Sequence, residues 1–157
     1  MPPSRLIDLA SHDLGEVCLS KAEIYKRLPH RHEFQLLDGF VLADKDSRHA
    51  IAFADIREDA WWVRGHVEGR PLLPGVLMLE MAAQASAILS GIVSGSDRFL
   101  GFGAVDRCKF RDSVTPPARL YILVLDFEDR PRRVVSDTQG VCDDKLVFEA
   151  RITGMSM

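Results

Sequence analysis

Two side chains capable of acid–base chemistry stand out in the sequence, and the first is Glu80. It lies in the stretch from residue 76 to residue 89, where 11 of 14 residues are apolar. Burial disfavours the ionised form of a carboxyl group. Glu80 is therefore either a structural acid, an acid facing a subunit contact, or a general acid kept protonated near neutral pH. Gln84 follows one helical turn later on the same face, where it is expected to hydrogen-bond to Glu80.

The second acid–base side chain is His66, which follows Gly65 and precedes a loop rich in Gly and Pro. Histidine is the commonest general base, although a single loop histidine is more often an exposed and inert side chain. The neighbourhood favours the catalytic interpretation. Pro74 and Gly75 open the apolar stretch, so the amides of Gly75 and Val76 are expected to point outward at the positive end of a helix dipole. Such donors can hold a developing oxyanion.

Other polar clusters carry weaker signals. His30 and His32 resemble a metal pair, but no third ligand has suitable spacing, so a surface role is favoured and no metal site is predicted. Arg107, Lys109 and Arg111 alternate along a predicted strand and should share one face. That face is either a solvated edge or a docking ridge for an acidic partner.

The elements that must position these residues follow from periodicity and punctuation. Ser20 and Glu23 form a capping-box pattern, which predicts a short helix that ends before Pro29. The apolar stretch predicts a helix over 76–89, ended by Ser90-Gly91 and enclosed by other structure. Strands are predicted at 36–43, 49–56, 99–110, 119–127, 133–141 and 146–153. One buried helix followed by consecutive antiparallel strands indicates an α+β fold, with the sheet curled around the helix.

Composition sets the broad class. The chain has 157 residues, 46% of them hydrophobic, and a formal net charge of -3. These values predict one domain over residues 1–157, with residues 1–19 as a loosely attached lead-in. The acidity argues against nucleic acid as a partner, because counterion release needs a basic surface. Three widely spaced cysteines and no visible secretory or membrane-spanning pattern favour a cytoplasmic protein without disulfides.

Taken together, these residues resemble a known family, the 3-hydroxyacyl-acyl carrier protein dehydratases of the FabZ type, related to FabA. The similarity runs from about Ile24 to Ile152. It is carried by Leu28-Pro29-His30-Arg31, Leu37-Asp38, Gly65-His66, Gly69-Arg70-Pro71, Pro74-Gly75-Val76-Leu77, Glu80, Ala83-Gln84, Lys109-Phe110-Arg111 and Val114-Thr115-Pro116.

The resemblance implies a hot-dog fold, in which an antiparallel sheet wraps a long central helix. It implies dehydration of (3R)-3-hydroxyacyl-acyl carrier protein thioesters to trans-2-enoyl thioesters in fatty acid biosynthesis. His66 would be the base, Glu80 the acid, and the amides of Gly75 and Val76 would polarise the thioester carbonyl. The implied partners are acyl carrier protein and a second copy of the chain, in a homodimer or a trimer of dimers, and no cofactor is implied.

The sequence also departs from the family pattern. Val67-Glu68 follow His66 where the family usually has Phe-Pro, and Pro116-Pro117-Ala118 replace Pro-Gly-Asp. These departures prompt one alternative, a non-catalytic domain that binds acyl groups or their carrier. A second alternative is an acyl thioesterase, which shares the fold but hydrolyses the substrate.

Overall fold

The fold is described from a computed structural model that covers residues 3–157. The helices are α1 (Lys21–Arg27), α2 (Val63–His66) and α3 (Gly75–Ser94), with 3-10 turns at Leu9–Ser11 and His32–Phe34. The strands are β1 (Leu19–Ser20), β2 (Gly39–Asp44), β3 (His49–Ile56), β4 (Leu100–Phe110), β5 (Ala118–Arg130), β6 (Arg133–Cys142) and β7 (Lys145–Ser156).

The seven strands form one antiparallel sheet around α3. The strand order is β1-β2-β3-β5-β6-β7-β4, so β4, the strand that follows α3 in sequence, lies at the far edge. The main hydrophobic cluster joins the inner face of this sheet to α3, through residues such as Met81, Ala85 and Ile88 of the helix. The predicted α+β class and hot-dog arrangement are confirmed, and the six predicted strands each match an observed one within a few residues.

Helix α1 forms where the capping box predicts it. The Glu23 amide donates to Ser20 Oγ at 3.2 Å, and the Ser20 amide donates to Glu23 Oε2 at 2.7 Å. Two amides that a helix start leaves without partners are thereby satisfied. The helix ends at Arg27, two residues before Pro29, in agreement with the sequence prediction.

The prediction that Ser90-Gly91 ends the central helix is wrong. α3 continues to Ser94 and ends at Gly95, which has the left-handed φ of 72° that favours glycine. Ser90 is accommodated inside the helix because its hydroxyl donates to Asp129 Oδ2 at 2.9 Å. With 20 residues, α3 is also long and apolar enough to cross a membrane, yet more than half of its most apolar window is buried inside the sheet. It is the core helix of the domain.

The prediction that residues 1–19 are a loosely attached lead-in is wrong for residues 3–19. Residues 1 and 2 lie outside the described part of the chain. Ile7 and Leu9 are buried against Ile51 and Leu123 on the outer face of the sheet. Gln139 of β6 adds two hydrogen bonds to this segment, accepting from the amide of Leu6 and donating to the carbonyl of Ser4. Strand β3 is therefore covered on both faces, as its unbroken run of small and apolar residues predicts.

The expectation that Arg107, Lys109 and Arg111 alternate along one face is wrong. Asp106 pairs with Arg151 and Lys109 with Glu149, so three steps on β4 match two on β7. Such a β-bulge interrupts the alternation of side chains, and Arg107 lies in it with a φ of 51°. Arg111 follows the end of β4 and forms an ion pair with Glu149 at 2.6 Å.

The packing of the N-terminal segment makes a prediction about stability. Replacing Ile7 with Ala removes buried methyl groups that contact the outer face of the sheet. We expect the free energy of unfolding to fall by about 2 kcal/mol. Val17→Ala is the control, because Val17 lies in the same segment but is half-exposed, and it should change stability by less than about 0.5 kcal/mol. Equal effects of the two substitutions in urea titrations would mean that the segment is loosely attached.

Candidate active site

Glu80 lies in the second turn of α3, on the wall of a cavity. The cavity has a volume of about 460 Å³ and extends between α3, the segment around His30 and strands β6 and β7. The Glu80 side chain retains 24% of its exposure, so it is half-buried and open to this space. Glu80 thus combines partial desolvation with access to a ligand, which a structural acid does not need.

Gln84 hydrogen-bonds to Glu80, as the helical spacing predicts, with Nε2 to Oε1 at 3.0 Å. Gln84 is only 1% exposed, so its whole amide group must be satisfied internally. Nε2 also donates to the carbonyl of Phe34 at 2.8 Å, and Oε1 accepts from the Tyr25 hydroxyl at 2.7 Å. The Tyr25 oxygen in turn accepts from the Leu37 amide at 2.8 Å.

The donor and acceptor in each of these linked hydrogen bonds are fixed by the two backbone groups at the ends of the series. The Leu37 amide can only donate, so the Tyr25 hydroxyl must pass its own hydrogen to Gln84 Oε1. The Phe34 carbonyl can only accept, which places Nε2 of Gln84 on the side of Phe34 and Glu80. Burial raises the pKa of Tyr25, which keeps its hydroxyl a donor. Gln84 therefore presents an N–H to Glu80, and this fixes the position of the carboxyl group.

His30 is the functional residue that sequence reasoning missed. Its Nε2 lies 3.2 Å from Glu80 Oε1, and it lines the same cavity. The Leu-Pro-His-Arg motif contained the signal, but a contact between residues 50 positions apart has no local pattern that reveals it. Its role is a partner of Glu80 rather than a surface histidine.

The protonation of Glu80 in one protomer differs from what burial alone predicts. Desolvation is the largest single influence and raises the pKa of the carboxyl group. The hydrogen bonds from His30 and Gln84 and the charge of His30 act in the opposite direction. Their combined effect holds the pKa of Glu80 below its usual value, so the carboxylate is ionised at neutral pH in the isolated protomer.

His66 is the last residue of α2, and its side chain is exposed. Its Nδ1 lies 2.8 Å from the carbonyl oxygen of Leu72, on the loop that leads to α3. A carbonyl oxygen only accepts, so Nδ1 carries the proton and Nε2 of the neutral ring carries the free lone pair. This contact orients the imidazole and leaves one nitrogen available as a base.

The first backbone amides of α3 have no side-chain cap. Pro74 occupies the N-cap position and makes no side-chain hydrogen bond there, so the first amides, at Gly75 and Val76, lack the usual side-chain acceptor. A Cβ at residue 75 would lie 2.8 Å from the ring of Phe110, so glycine permits close approach between the helix start and the end of β4. Val76 is 70% exposed, which leaves this end of the helix open.

The structure joins some of the predicted site residues and separates others. Glu80 and Gln84 are in contact, whereas His66 does not line the cavity that contains Glu80. Gly75 and Val76 lie at the start of the same helix as Glu80, and Arg107 and Lys109 lie on edge strand β4 but do not line the cavity. Residues 3–157 contain no group of three or more His, Cys, Asp or Glu side chains placed to share a metal ion.

Comparison with known proteins gives the family of this sequence. Residues 28–151 match the family described as FabA-like domain. A 3-hydroxyacyl-[acyl-carrier-protein] dehydratase FabZ from Sulfurimonas denitrificans is 34% identical over 140 residues, which cover 85% of this chain and 93% of the relative. The protein of the same name from Ruegeria sp. is 32% identical over 154 residues, covering 94% and 91% of the two chains.

Solved structures agree on the fold. A chain of the dehydratase heterocomplex ApeI:P from Xenorhabdus doucetiae superimposes with a TM-score of 0.73 at 17% identity, covering 85% of this chain and 90% of the other. A hypothetical thioesterase from Streptococcus pneumoniae, solved with coenzyme A, gives a TM-score of 0.64 at 10% identity and covers 88% and 97%. At these identities the likeness establishes the hot-dog fold alone.

The contact between His30 and Glu80 makes a prediction about ionisation. In the His30→Leu variant, an apolar side chain keeps the carboxyl group desolvated but removes the hydrogen bond and the charge. We expect the pKa of Glu80 to rise, because desolvation then acts with less opposition. Carboxyl ¹³C NMR titration measures this pKa. His12→Leu, in the N-terminal segment outside the cavity, should leave it unchanged. A Glu80 pKa that stays in place or falls in His30→Leu would contradict the role given to His30.

Proposed function

The chain belongs to the FabA-like domain family, and from this membership we propose that it catalyses dehydration of (3R)-3-hydroxyacyl thioesters on acyl carrier protein, in fatty acid biosynthesis. The products would be trans-2-enoyl thioesters and water. The observation that carries the proposal is the placement of Glu80 on the wall of a 460 Å³ cavity, with its carboxyl group held by Gln84 and His30. The names of relatives that this chain matches over most of its length point to the same reaction.

His66 is the proposed base. The reaction removes the proton at C2, next to the thioester carbonyl, and its electron pair forms the double bond between C2 and C3. The Nδ1 contact with Leu72 leaves Nε2 as the acceptor for this proton. The amides of Gly75 and Val76 would donate hydrogen bonds to the carbonyl oxygen. These bonds, at the positive end of the α3 dipole, would stabilise the negative charge that develops on that oxygen.

Glu80 is the proposed acid. As the bond between C3 and oxygen breaks, the departing hydroxyl group takes a proton from the carboxyl group and leaves as water. Glu80 must therefore hold a proton when substrate is bound. Its side chain is 24% exposed, which leaves room for further desolvation, and an acyl chain or a second protomer that covers it would raise its pKa.

A homodimer completes this site in the proposal. His66 and Glu80 do not share the cavity within one protomer, so the base must approach from another copy of the chain. Edge strand β4 offers the surface for such pairing. It is 11 residues long, and Phe102, Val105 and Phe110 on it are 36–51% exposed. Long apolar edges of this kind are normally covered, since an open strand edge otherwise promotes aggregation.

Acyl carrier protein is the proposed partner. Its proposed docking surface has two available basic residues rather than the three that the sequence pattern indicates. Arg107 and Lys109 are exposed and form no ion pair within residues 3–157, whereas Arg111 is neutralised by Glu149. Docking of an acidic carrier would therefore depend on Arg107 and Lys109, with strong salt dependence. A cytoplasmic location follows from the proposed role.

Direct assay of the reaction tests the function and the two assigned residues. Hydration of a trans-2-enoyl thioester is followed by loss of its absorbance. We expect His66→Ala and Glu80→Gln each to lower kcat/KM by about 10²–10⁴-fold, the usual contribution of a general acid or base. His12→Ala is the matched control outside the site. Unchanged rates in both site variants would refute their roles, and release of free thiol without hydration would identify a thioesterase instead.

Mixing the two inactive variants tests whether the site is shared between protomers. His66→Ala and Glu80→Gln chains are combined, unfolded and refolded together. If each site takes one residue from each protomer, every mixed dimer contains one intact site, and about a quarter of the wild-type activity per chain returns with random pairing. A site built within one protomer would remain inactive in every combination, which would contradict the shared arrangement.

A further inference from the structure

The two oxygens of the Glu80 carboxyl group have different surroundings. Oε1 lies 3.0 Å from Nε2 of Gln84 and 3.2 Å from Nε2 of His30. Both polar contacts that the carboxyl group makes within residues 3–157 therefore fall on Oε1. Oε2 is the oxygen left without a protein partner, on a side chain that lines the cavity.

The contact with Gln84 fixes the chemical character of Glu80 Oε1. The Tyr25 hydroxyl donates to the amide oxygen of Gln84 at 2.7 Å, so the amide nitrogen faces Glu80. That nitrogen can only donate. The carbonyl oxygen of a protonated carboxyl group is a better acceptor than its hydroxyl oxygen. A proton on Glu80 is therefore better placed on Oε2 than on Oε1.

The surroundings of His30 favour the same assignment. Its Nδ1 is buried and has no hydrogen-bond partner in the described part of the chain. A neutral imidazole carries one hydrogen, and buried N–H groups without an acceptor are rarer than unpaired acceptors. The hydrogen is therefore better placed on Nε2, from which it can be donated to Glu80 Oε1. Two N–H donors then converge on the same carboxyl oxygen.

The role of His30 differs from that of a proton relay. A relay passes a proton through the ring and needs a partner on each nitrogen, and Nδ1 has none among the described residues. His66 has the opposite arrangement, because its Nδ1 lies 2.8 Å from the Leu72 carbonyl oxygen. In their neutral forms the two histidines thus carry their hydrogens on different nitrogens.

We propose that Glu80 delivers its proton from Oε2, and that His30 is a positioning residue that holds Glu80 Oε1 with an Nε2–H group. The inference rests on the proposed function, in which Glu80 is the acid. The Oε2–H bond and the bond between C3 and oxygen break together, and the hydroxyl group leaves as water. His66 takes the proton from C2, and the electrons of that C–H bond form the double bond. Exchange with solvent water then removes the proton from His66 and restores the one on Oε2.

Nitrogen-15 NMR of the two imidazole rings measures the tautomers directly, at a pH where both rings are neutral. We expect the hydrogen of His30 on Nε2 and that of His66 on Nδ1, so each ring is the reference for the other in one spectrum. A neutral His30 with its hydrogen on Nδ1 would overturn the proposal. The measurement uses the wild-type protein without substrate, so its result does not depend on whether the chain is a dehydratase.

Two amide side chains distinguish the ring nitrogens in the dehydration assay. The amide nitrogen of glutamine can take the place of Nε2, and that of asparagine the place of Nδ1. We expect His30→Leu and His30→Asn to lower kcat by about 10–100-fold, because the carboxylate that forms as the proton leaves loses a donor. His30→Gln should recover most of this loss, since the donor to Oε1 is restored without a group that titrates.

The control substitution is His12→Gln, outside the cavity, which should leave kcat unchanged. Urea titration of each variant checks that the differences in kcat do not follow differences in stability. Equal losses in His30→Gln and His30→Leu, or recovery by His30→Asn instead, would overturn the positioning role. Absence of dehydration by the wild-type protein would overturn the proposed function, and the NMR measurement would still report the tautomer of His30.

Discussion

The buried amide of Gln84 is the constraint on which the arrangement of the site depends. A primary amide that is 1% exposed inside an apolar helix face must find partners for its oxygen and its nitrogen. Tyr25 supplies the donor, and the backbone of Phe34 supplies an acceptor, so the segment from α1 to β2 is tied to the middle of α3. The same segment carries His30. Satisfying Gln84 therefore brings His30 to Glu80, and the geometry of the acid follows from a packing requirement one helical turn away.

The outer surface of the sheet shows a contrast between its two ends. At the β2–β3 side the N-terminal segment covers the outer face through Ile7 and Leu9, and β1 is a short final strand of two residues. At the opposite end β4 is long and exposes Phe102, Val105 and Phe110, and the α3 start lies beside Phe110. In the proposed homodimer, a second copy of the chain covers this open edge. The open side is the one next to the helix amides on which the proposed chemistry depends.

Local patterns in the sequence predicted the helices and strands well. Features that depend on contacts between distant segments were not predicted. The capping box at Ser20 and the Glu80–Gln84 spacing are each encoded within a few residues, and both were confirmed. The predicted end of α3 was wrong because burial of the helix in the core outweighed the helix-breaking tendency of Gly91. The bulge at Arg107 has no signal in residue type, and only the pairing with β7 reveals it. His30 was missed for the same reason, since its partner lies on another element.

The ionisation of Glu80 connects these observations to mechanism. Burial and hydrogen bonding oppose each other at this carboxyl group, and in the lone protomer hydrogen bonding prevails. The number of hydrogen bonds is fixed by Gln84 and His30, whereas the degree of desolvation depends on what covers the open quarter of the side chain. A partner or a substrate that covers this part of the side chain would increase its desolvation and so raise its pKa. In the proposed function, Glu80 is ionised while the site is open and takes up a proton once a substrate or a second protomer covers it, so its protonation would be coupled to assembly of the complete site.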